Sequence, residues 1–421
     1  MIILRLAWQS LMNRKFTTIL TILSIAVSVM LLLGVEKVRS SARTSFINTI
    51  SGTDLVVGAR TGGVQLLLYS VFHIGDATAN VTWKTVEDIK KRDEVKWIVP
   101  IALGDSHRGY RVVGTSSEYF ERFRYRRNIP LQFVEGYKFS DLFDAVLGAE
   151  VARTLNYKID DEIILAHGTG PVSIGKDHGD TPFRVSGILA PTGTPVDRVV
   201  HVSMEAIEAI HLGWETGAYS DQNNKKSAEE LRKIDLSPKA ATAVYVGLKS
   251  RMTTFSLQRW INTYKQEPII AILPGVVFGE LWSMIGNIEK VLLIISTLVV
   301  LTAILGMIIS ILASLNERRR EMAILRAIGA KPIQIFTLFT AEATTIAFLG
   351  VVIGFFGLYS TLFIIQPFIE NLTGLYLDIT LPKWNEIILM VTIMGAAVLA
   401  GIIPALRAYR TSLSDGLMIR G

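Results

Sequence analysis

Cysteine is absent from the 421 residues, which excludes disulfide staples and thiolate-ligated zinc and fits an outer domain that folds without oxidative help. Charge is missing from four long stretches, 16–35, 291–316, 343–369 and 387–406, each at least twenty residues without Asp, Glu, Lys or Arg. At 1.5 Å rise per residue, about 20 residues cross a hydrocarbon core of roughly 30 Å. Each stretch therefore reads as a membrane-spanning helix. The first is too long for the apolar centre of a leader peptide, roughly 7 to 15 residues, and no small-x-small cleavage site follows before Glu36, so it reads as a retained anchor.

Other absences bear on chemistry. The nearest approach to a phosphate-binding loop, Gly170-Pro-Val-Ser-Ile-Gly-Lys176, has GxxxxGK spacing but is followed by Asp177 where Ser or Thr should ligand magnesium. No HExxH or tight His pair occurs among His73, His107, His167, His178, His201 and His211, so the expectation is no metal centre. The spans carry no evident pairs of ionisable residues, which argues against an intramembrane enzyme.

The charge that is present is arranged by topology. Arg5, Arg14 and Lys15 precede the first span; Arg318, Arg319, Arg320, Arg326 and Lys331 lie between the second and third; Arg407, Arg410 and Arg420 close the chain. The positive-inside rule puts these segments and both termini in the cytoplasm. The rest of the chain holds 32 basic and 34 acidic residues, so the net charge of +6 reflects membrane flanks beside anionic lipid and gives no support to nucleic-acid binding.

Before the first span, Ile2, Ile3, Leu6, Ala7, Trp8 and Met12 mingle with Arg5, Gln9, Asn13 and Arg14, as in an amphipathic surface helix or a helical extension of the span. From 36 to 290 the composition is that of a soluble α+β domain. Strands are predicted at 54–57, 95–103, 111–114, 162–166, 183–189, 199–203 and 242–248, and helices at 83–92 after Thr82, at 149–155, at 204–211 after Ser203, and at 256–264. The apolar run at 54–73 reads as a buried strand and turn, and 217–236 as an exposed rim. Gly350 with Gly354, and Ala397 with Gly401, are spaced for close packing within the helical bundle, whereas Ser24 and Ser28 are the candidates to face a second copy.

After the second span, Glu317, Arg318, Arg319, Arg320 and Glu321 lead into Met322, Leu325 and Ile328, an apolar stripe at three-residue spacing; Gly329 stops this helix and Pro332 suits the start of the next. Glu342, at the start of the third span, is placed to pair with an arginine such as Arg326.

These features resemble the FtsX-like permease superfamily, with its MacB-type exporters and lipoprotein-release permeases. The likeness is carried by Glu317 to Glu321 leading into Ala323-Ile-Leu-Arg-Ala-Ile-Gly-Ala330, by Ala341-Glu342-Ala343, and in the outer domain by Val113-Gly-Thr-Ser-Ser-Glu-Tyr-Phe120, Phe133-Val-Glu-Gly136, Val146-Leu-Gly-Ala-Glu-Val-Ala152 and Phe183-Arg-Val-Ser-Gly-Ile-Leu189. It implies a bacterial inner-membrane protein with four transmembrane helices and a large α+β periplasmic core domain between the first two. It also implies a coupling helix formed by Glu317, Arg318, Arg319, Arg320, Glu321, Met322, Leu325, Arg326, Ile328, Gly329 and Ala330 and supported by Glu342. That helix would dock on a separate ABC ATPase in two copies, which holds the ATP and magnesium; this chain binds no cofactor and is no enzyme. A second permease copy, identical or homologous, and a periplasmic adaptor or lipoprotein are the further partners implied. The division expected is 1–15 amphipathic helix, 16–35 first span, 36–290 outer domain of two subdomains, 291–316 second span, 317–336 coupling helix and loop, 337–366 third span, 367–386 external loop, 387–407 fourth span and 408–421 tail. The function implied is mechanotransmission that drives export or extraction of a hydrophobic, peptide or lipoprotein substrate. The alternatives are an FtsX-like regulator switching a cell-wall hydrolase, and a metal-linked transport subunit.

Overall fold

The computed structural model describes residues 2–47, 49–126, 128–167, 181–212, 228–317, 322, 324, 326–373 and 382–410. The chain divides into a helical unit, from 1–42, 285–368 and 377–421, and an outer unit, from 43–284 and 369–376.

Helices α1 (Ile2–Asn13) and α2 (Lys15–Ile47) open the chain. In the outer unit β1 (Leu55–Ala59) leads to α3 (Gly63–Val71), and α4 (Trp83–Lys90) precedes the hairpin of β2 (Val95–His107) and β3 (Tyr110–Thr115). Then come α5 (Glu118–Arg122), β4 (Phe133–Gly136), β5 (Asp144–Leu147), α6 (Ala149–Leu155), β6 (Phe183–Leu189), β7 (Val199–Ser203), α7 (Met204–His211), β8 (Ala243–Leu248), α8 (Thr254–Asn262) and β9 (Ile269–Ile272). The sheet order is β9-β1-β8-β2-β3-β7-β5-β6-β4, with two-residue strands Glu162–Ile163 on β6 and Ala166–His167 on β2. Pairing is antiparallel except for β7 on β3 and β6 on β5.

Successive residues of a strand point to opposite faces, and here both faces are covered. On β1, Leu55 and Val57 enter one core while Val56 enters another; on β8, Val244 and Val246 part from Ala243 and Tyr245 in the same way. Strands buried on both faces read as continuous Val-rich runs, which is why 183–189, 199–203 and 242–248 were legible. Ser203 caps α7 as its sequence predicts, its Oγ accepting from the Ala206 amide at 3.0 Å. Thr82 does precede α4, but its hydroxyl donates to Glu267 at 2.8 Å rather than serving as a cap. The run at 54–73 is a strand followed by helix α3, not a strand and turn, because Leu66, Leu67, Tyr69 and Val71 are all buried and leave no polar face to mark a period. Strands β4, β5 and β9, four residues each, were not among the predicted strands.

Three further helices, α9 (Pro274–Glu317), α10 (Pro332–Thr373) and α11 (Trp384–Arg410), follow. With α2 they supply four segments long and apolar enough to cross a membrane: Lys15–Ser41, Gly286–Leu315, Pro332–Phe368 and Trp384–Tyr409. Every backbone group along a helix is paired internally, the requirement that hydrocarbon imposes. The core of the helical unit joins Ile25, Val29 and Leu33 of α2 to Val300 and Met307 of α9, Phe339 and Ala347 of α10, and Ala397 of α11.

Lipid is as apolar as leucine, so helices associate here by close fit rather than by exclusion of water. A Cβ on Gly350 would lie 2.6 Å from Ile25 Cγ2, and one on Gly354 would lie 2.6 Å from the Ala26 carbonyl oxygen. Gly401 meets Ala343 in the same fashion. The small-residue pairs thus serve packing within the chain. Ser28, expected to face a second copy, is instead buried and bonds back to the Ser24 carbonyl at 2.8 Å; Ser24 is exposed. Replacing Gly354 by Ala should destabilise the helical unit by about 1–3 kcal/mol through overpacking. Gly395→Ala, with nothing within 4 Å of the new methyl, should be neutral. Thermal unfolding of the two variants in detergent checks this.

Candidate functional site

Where α9 passes to α10, the described residues are Met322, Ile324 and 326–331; Arg318, Arg319, Arg320, Glu321, Ala323 and Leu325 lie outside them. The apolar stripe read from the sequence divides. Met322 is only 7% exposed and belongs to the core of the helical unit with Ile335 and Phe339, so it is an inward anchor and not a surface contact. Ile324, at 51%, and Ile328, at 79%, are the apolar residues turned outward. They are four positions apart and therefore share a helix face. The sequence signal was present, since Ile324 lay in the quoted run, but the three-residue period from Met322 drew attention to the wrong face.

Gly329 ends this helix with φ +106°, a backbone conformation open to glycine, and its amide donates to the Arg326 carbonyl at 3.1 Å. Pro332 occupies the first position of α10, and Gln334 returns its side-chain oxygen to the Lys331 amide at 2.9 Å. This reciprocal cap sets a sharp, well-defined turn after Gly329 and Ala330. Glu342, one helical stretch further on, is 4% exposed. Both it and Arg326 have interaction partners within the protein.

At the opposite end of the same helices lies a polar cluster that the sequence reading treated only as span boundaries. Arg39 donates from Nε and Nη2 to Glu36 at 2.9 and 2.8 Å and lies 3.6 Å from Glu289 on α9. Lys37 Nζ is 3.7 Å from Glu386 Oε1 on α11, with both side chains 2% exposed, and it sits 5.3 Å from the centre of the Tyr359 ring on α10. The Tyr359 hydroxyl donates to Glu386 Oε2 at 2.9 Å, and Lys383 Nζ donates to Ser40 Oγ at 2.6 Å. One segment of α2 is thereby tied to each of α9, α10 and α11. Lys37 and Glu386 stand just outside the charge-free stretches 16–35 and 387–406 but inside the wider helix limits Lys15–Ser41 and Trp384–Tyr409. The arrangement is a clasp, in which Arg39 has Glu36 and Glu289, Lys37 has Glu386, and the Glu386 carboxylate also has a phenol.

The outer-unit histidines do not form a metal centre among the described residues, where no three His, Asp or Glu side chains converge. His178 and the GxxxxGK segment lie outside those residues. His107 bonds the Ile164 carbonyl at 2.7 Å and the Tyr157 hydroxyl at 3.0 Å, and His211 lies 3.6 Å from Asp105. His201 stacks beside Tyr119 and Phe120, and its Nδ1 meets the Val146 carbonyl at 3.3 Å. Burial pushes the His73 imidazole down to about 3, with nearby His201 and Arg111 adding to the effect, and pushes His201 down to about 4 against the pull of the Val146 carbonyl.

Two family models match the chain: the MacB-like periplasmic core domain over residues 18–263 and the FtsX-like permease C-terminal region over residues 293–413. Solved structures matched by the chain include the periplasmic region of MacB from Actinobacillus actinomycetemcomitans, 9% identical, spanning 56% of this chain and 95% of its own, with a TM-score of 0.35. Another is the extracellular domain of the noncanonic ABC-type transporter YknZ from Gram-positive bacteria, 13% identical, spanning 52% of this chain and 98% of its own, with a TM-score of 0.30. No individually curated protein matches. The chain belongs to the FtsX/MacB-type ABC transporter permeases, as a membrane-spanning component with a MacB-like periplasmic domain.

Two predictions follow from these clusters. Truncating one member of a buried ion pair leaves the other charge uncompensated, so Lys37→Met should destabilise the helical unit by about 3–5 kcal/mol, whereas Lys37→Met with Glu386→Leu should recover most of it. A double-mutant cycle of unfolding in detergent reads this directly. For the histidines, the unfolded chain titrates near 6.5 and the folded one near 3 and 4. Between about pH 6.5 and 4 the unfolded state binds more protons, so stability is full above pH 7 and falls as pH drops, by roughly 1.4 kcal/mol per pH unit for each histidine. Denaturant unfolding of the outer unit in the full chain from pH 7.5 to 4.5 should show this slope, and His201→Gln should remove its own share.

Proposed function

We propose that this permease couples ATP hydrolysis by a separate ATPase to motion of its outer domain, driving export or extraction of a hydrophobic, peptide or lipoprotein substrate. The observation that supports this most is the outward pair Ile324 and Ile328, held on a short helix between two spans and delimited by the Gly329 turn. An apolar pair at four-residue spacing is what a groove on a partner receives, and arginines close by in the sequence suit charge-assisted contacts with the same partner. With the positive-inside orientation, this face lies in the cytoplasm, where ATP is available.

Transmission needs a stiff element, and two helices supply it. Helix α2 runs through Lys15–Ile47 and α9 through Pro274–Glu317. The first turns of α9 set Val277 and Phe278 into the core of the outer unit, while Val300, Ile304 and Met307 further along line the core of the helical unit. The ATPase supplies the chemistry and its magnesium; this chain supplies the lever.

Ile328→Asp should abolish co-purification of the ATPase from native membranes while the permease stays inserted and folded. Met322→Asp, which places a charge in the core, should instead reduce the amount of folded permease. Retention of the ATPase by Ile328→Asp would sink the docking assignment. In the same experiment an adaptor or lipoprotein retained by the wild type supports transport, whereas a cell-wall hydrolase supports the regulatory alternative.

A further inference from the structure

A cavity of about 370 Å³ opens beside the elbow between α1 and α2. Asn13, Arg14 and Lys15 line it from the elbow, Ser310 and Ser314 from α9, and Glu342 from α10. Its depth in the bilayer follows from the charge-free stretches: that of α2 begins at Phe16, that of α9 ends at Asn316 and that of α10 begins at Ala343, so the lining gathers where all three helices leave their apolar stretches, at the level of the headgroups. Phe16 in its lining is 78% exposed, and Trp8 and Met12 of α1 are exposed as well, the kind of apolar and aromatic anchors that settle at that depth.

The wall carries both signs of charge. Arg14 and Lys15 are cationic, Glu342 is a carboxylate, and Arg14 and Glu342 are each held by interactions within the protein, which keeps the geometry in place. A ligand that offers a phosphate alone brings negative charge toward Glu342. One that offers a quaternary ammonium has no N–H for a carboxylate or a serine oxygen to accept. A phosphodiester joined to a primary ammonium matches both halves, and basic pockets between spans are suited to lipid headgroups.

We propose that this cavity binds the headgroup of an aminophospholipid, with the phosphate at Arg14 and Lys15 and the ammonium toward Glu342 and the α9 serines. The leaflet follows from the orientation proposed above; the headgroup chemistry does not depend on it, nor on ATPase coupling.

Delipidated full-length protein in detergent, titrated with short-chain phosphatidylethanolamine, phosphatidylglycerol or phosphatidylcholine and followed by thermal unfolding, tests the assignment. Phosphatidylethanolamine should stabilise at about fivefold lower concentration than the other two, and Lys15→Gln should weaken its effect about fivefold. Glu342→Gln should bring phosphatidylethanolamine and phosphatidylglycerol level. Lys15 is exposed, so its variant keeps the test decisive even where the buried Glu342 variant unfolds. Equal stabilisation by all three lipids, or an undiminished response in Lys15→Gln, overturns the proposal. Soluble phosphoethanolamine that stabilises as strongly as the lipid at equal concentration overturns a lipid as the occupant.

Discussion

The close approach of α2 to α10 is the contact on which the helical unit depends. Hydrocarbon provides no hydrophobic drive to press one apolar helix on another, so dispersion between well-fitted surfaces must do it. Gly350 and Gly354 remove the side chains that would hold the backbones apart and let Ile25, Ala26 and Val29 settle against α10. With that seam closed, the ends of α2 are brought beside the other helices. Lys37 then meets Glu386 and Tyr359 at one end, and Thr21 meets Ser310 at 3.3 Å toward the other.

The two ends of the bundle do different work. The Lys37 cluster is buried, charged and multiply connected, which favours one arrangement of helices over its alternatives; a broken buried pair is far more expensive than a broken surface one. The segment around Ile328 is the reverse, a short helix with its anchor Met322 tucked inward and its apolar face left open.

The outer unit solves a different problem. Its sheet is covered on both faces, so strands such as β1 and β8 contribute to two cores at once. Covering both faces also buries His73 and His201 as neutral side chains, His201 beside the rings of Tyr119 and Phe120. A cluster of histidines in the sequence is thus consistent with packing, and the residues that carry the family likeness, such as Tyr119 and Phe120, sit in that same core.

By itself the sequence determined the four spans, their order around a large outer domain, most of the long strands, the stop at Gly329 and the start at Pro332. All of these depend on local quantities: charge-free length, apolar period, and the special backbone of Gly and Pro. It did not determine which face of the segment from Met322 to Gly329 points outward. That depends on where α10 lies beside it, and Phe339 and Ile335 draw Met322 inward and leave Ile324 and Ile328 exposed. Nor did it reveal the Lys37, Tyr359 and Glu386 cluster, whose members are separated by hundreds of residues and resemble ordinary flanking charges until the helices pack. Local chemistry writes the elements; only the close fit of helix against helix decides which side chains meet.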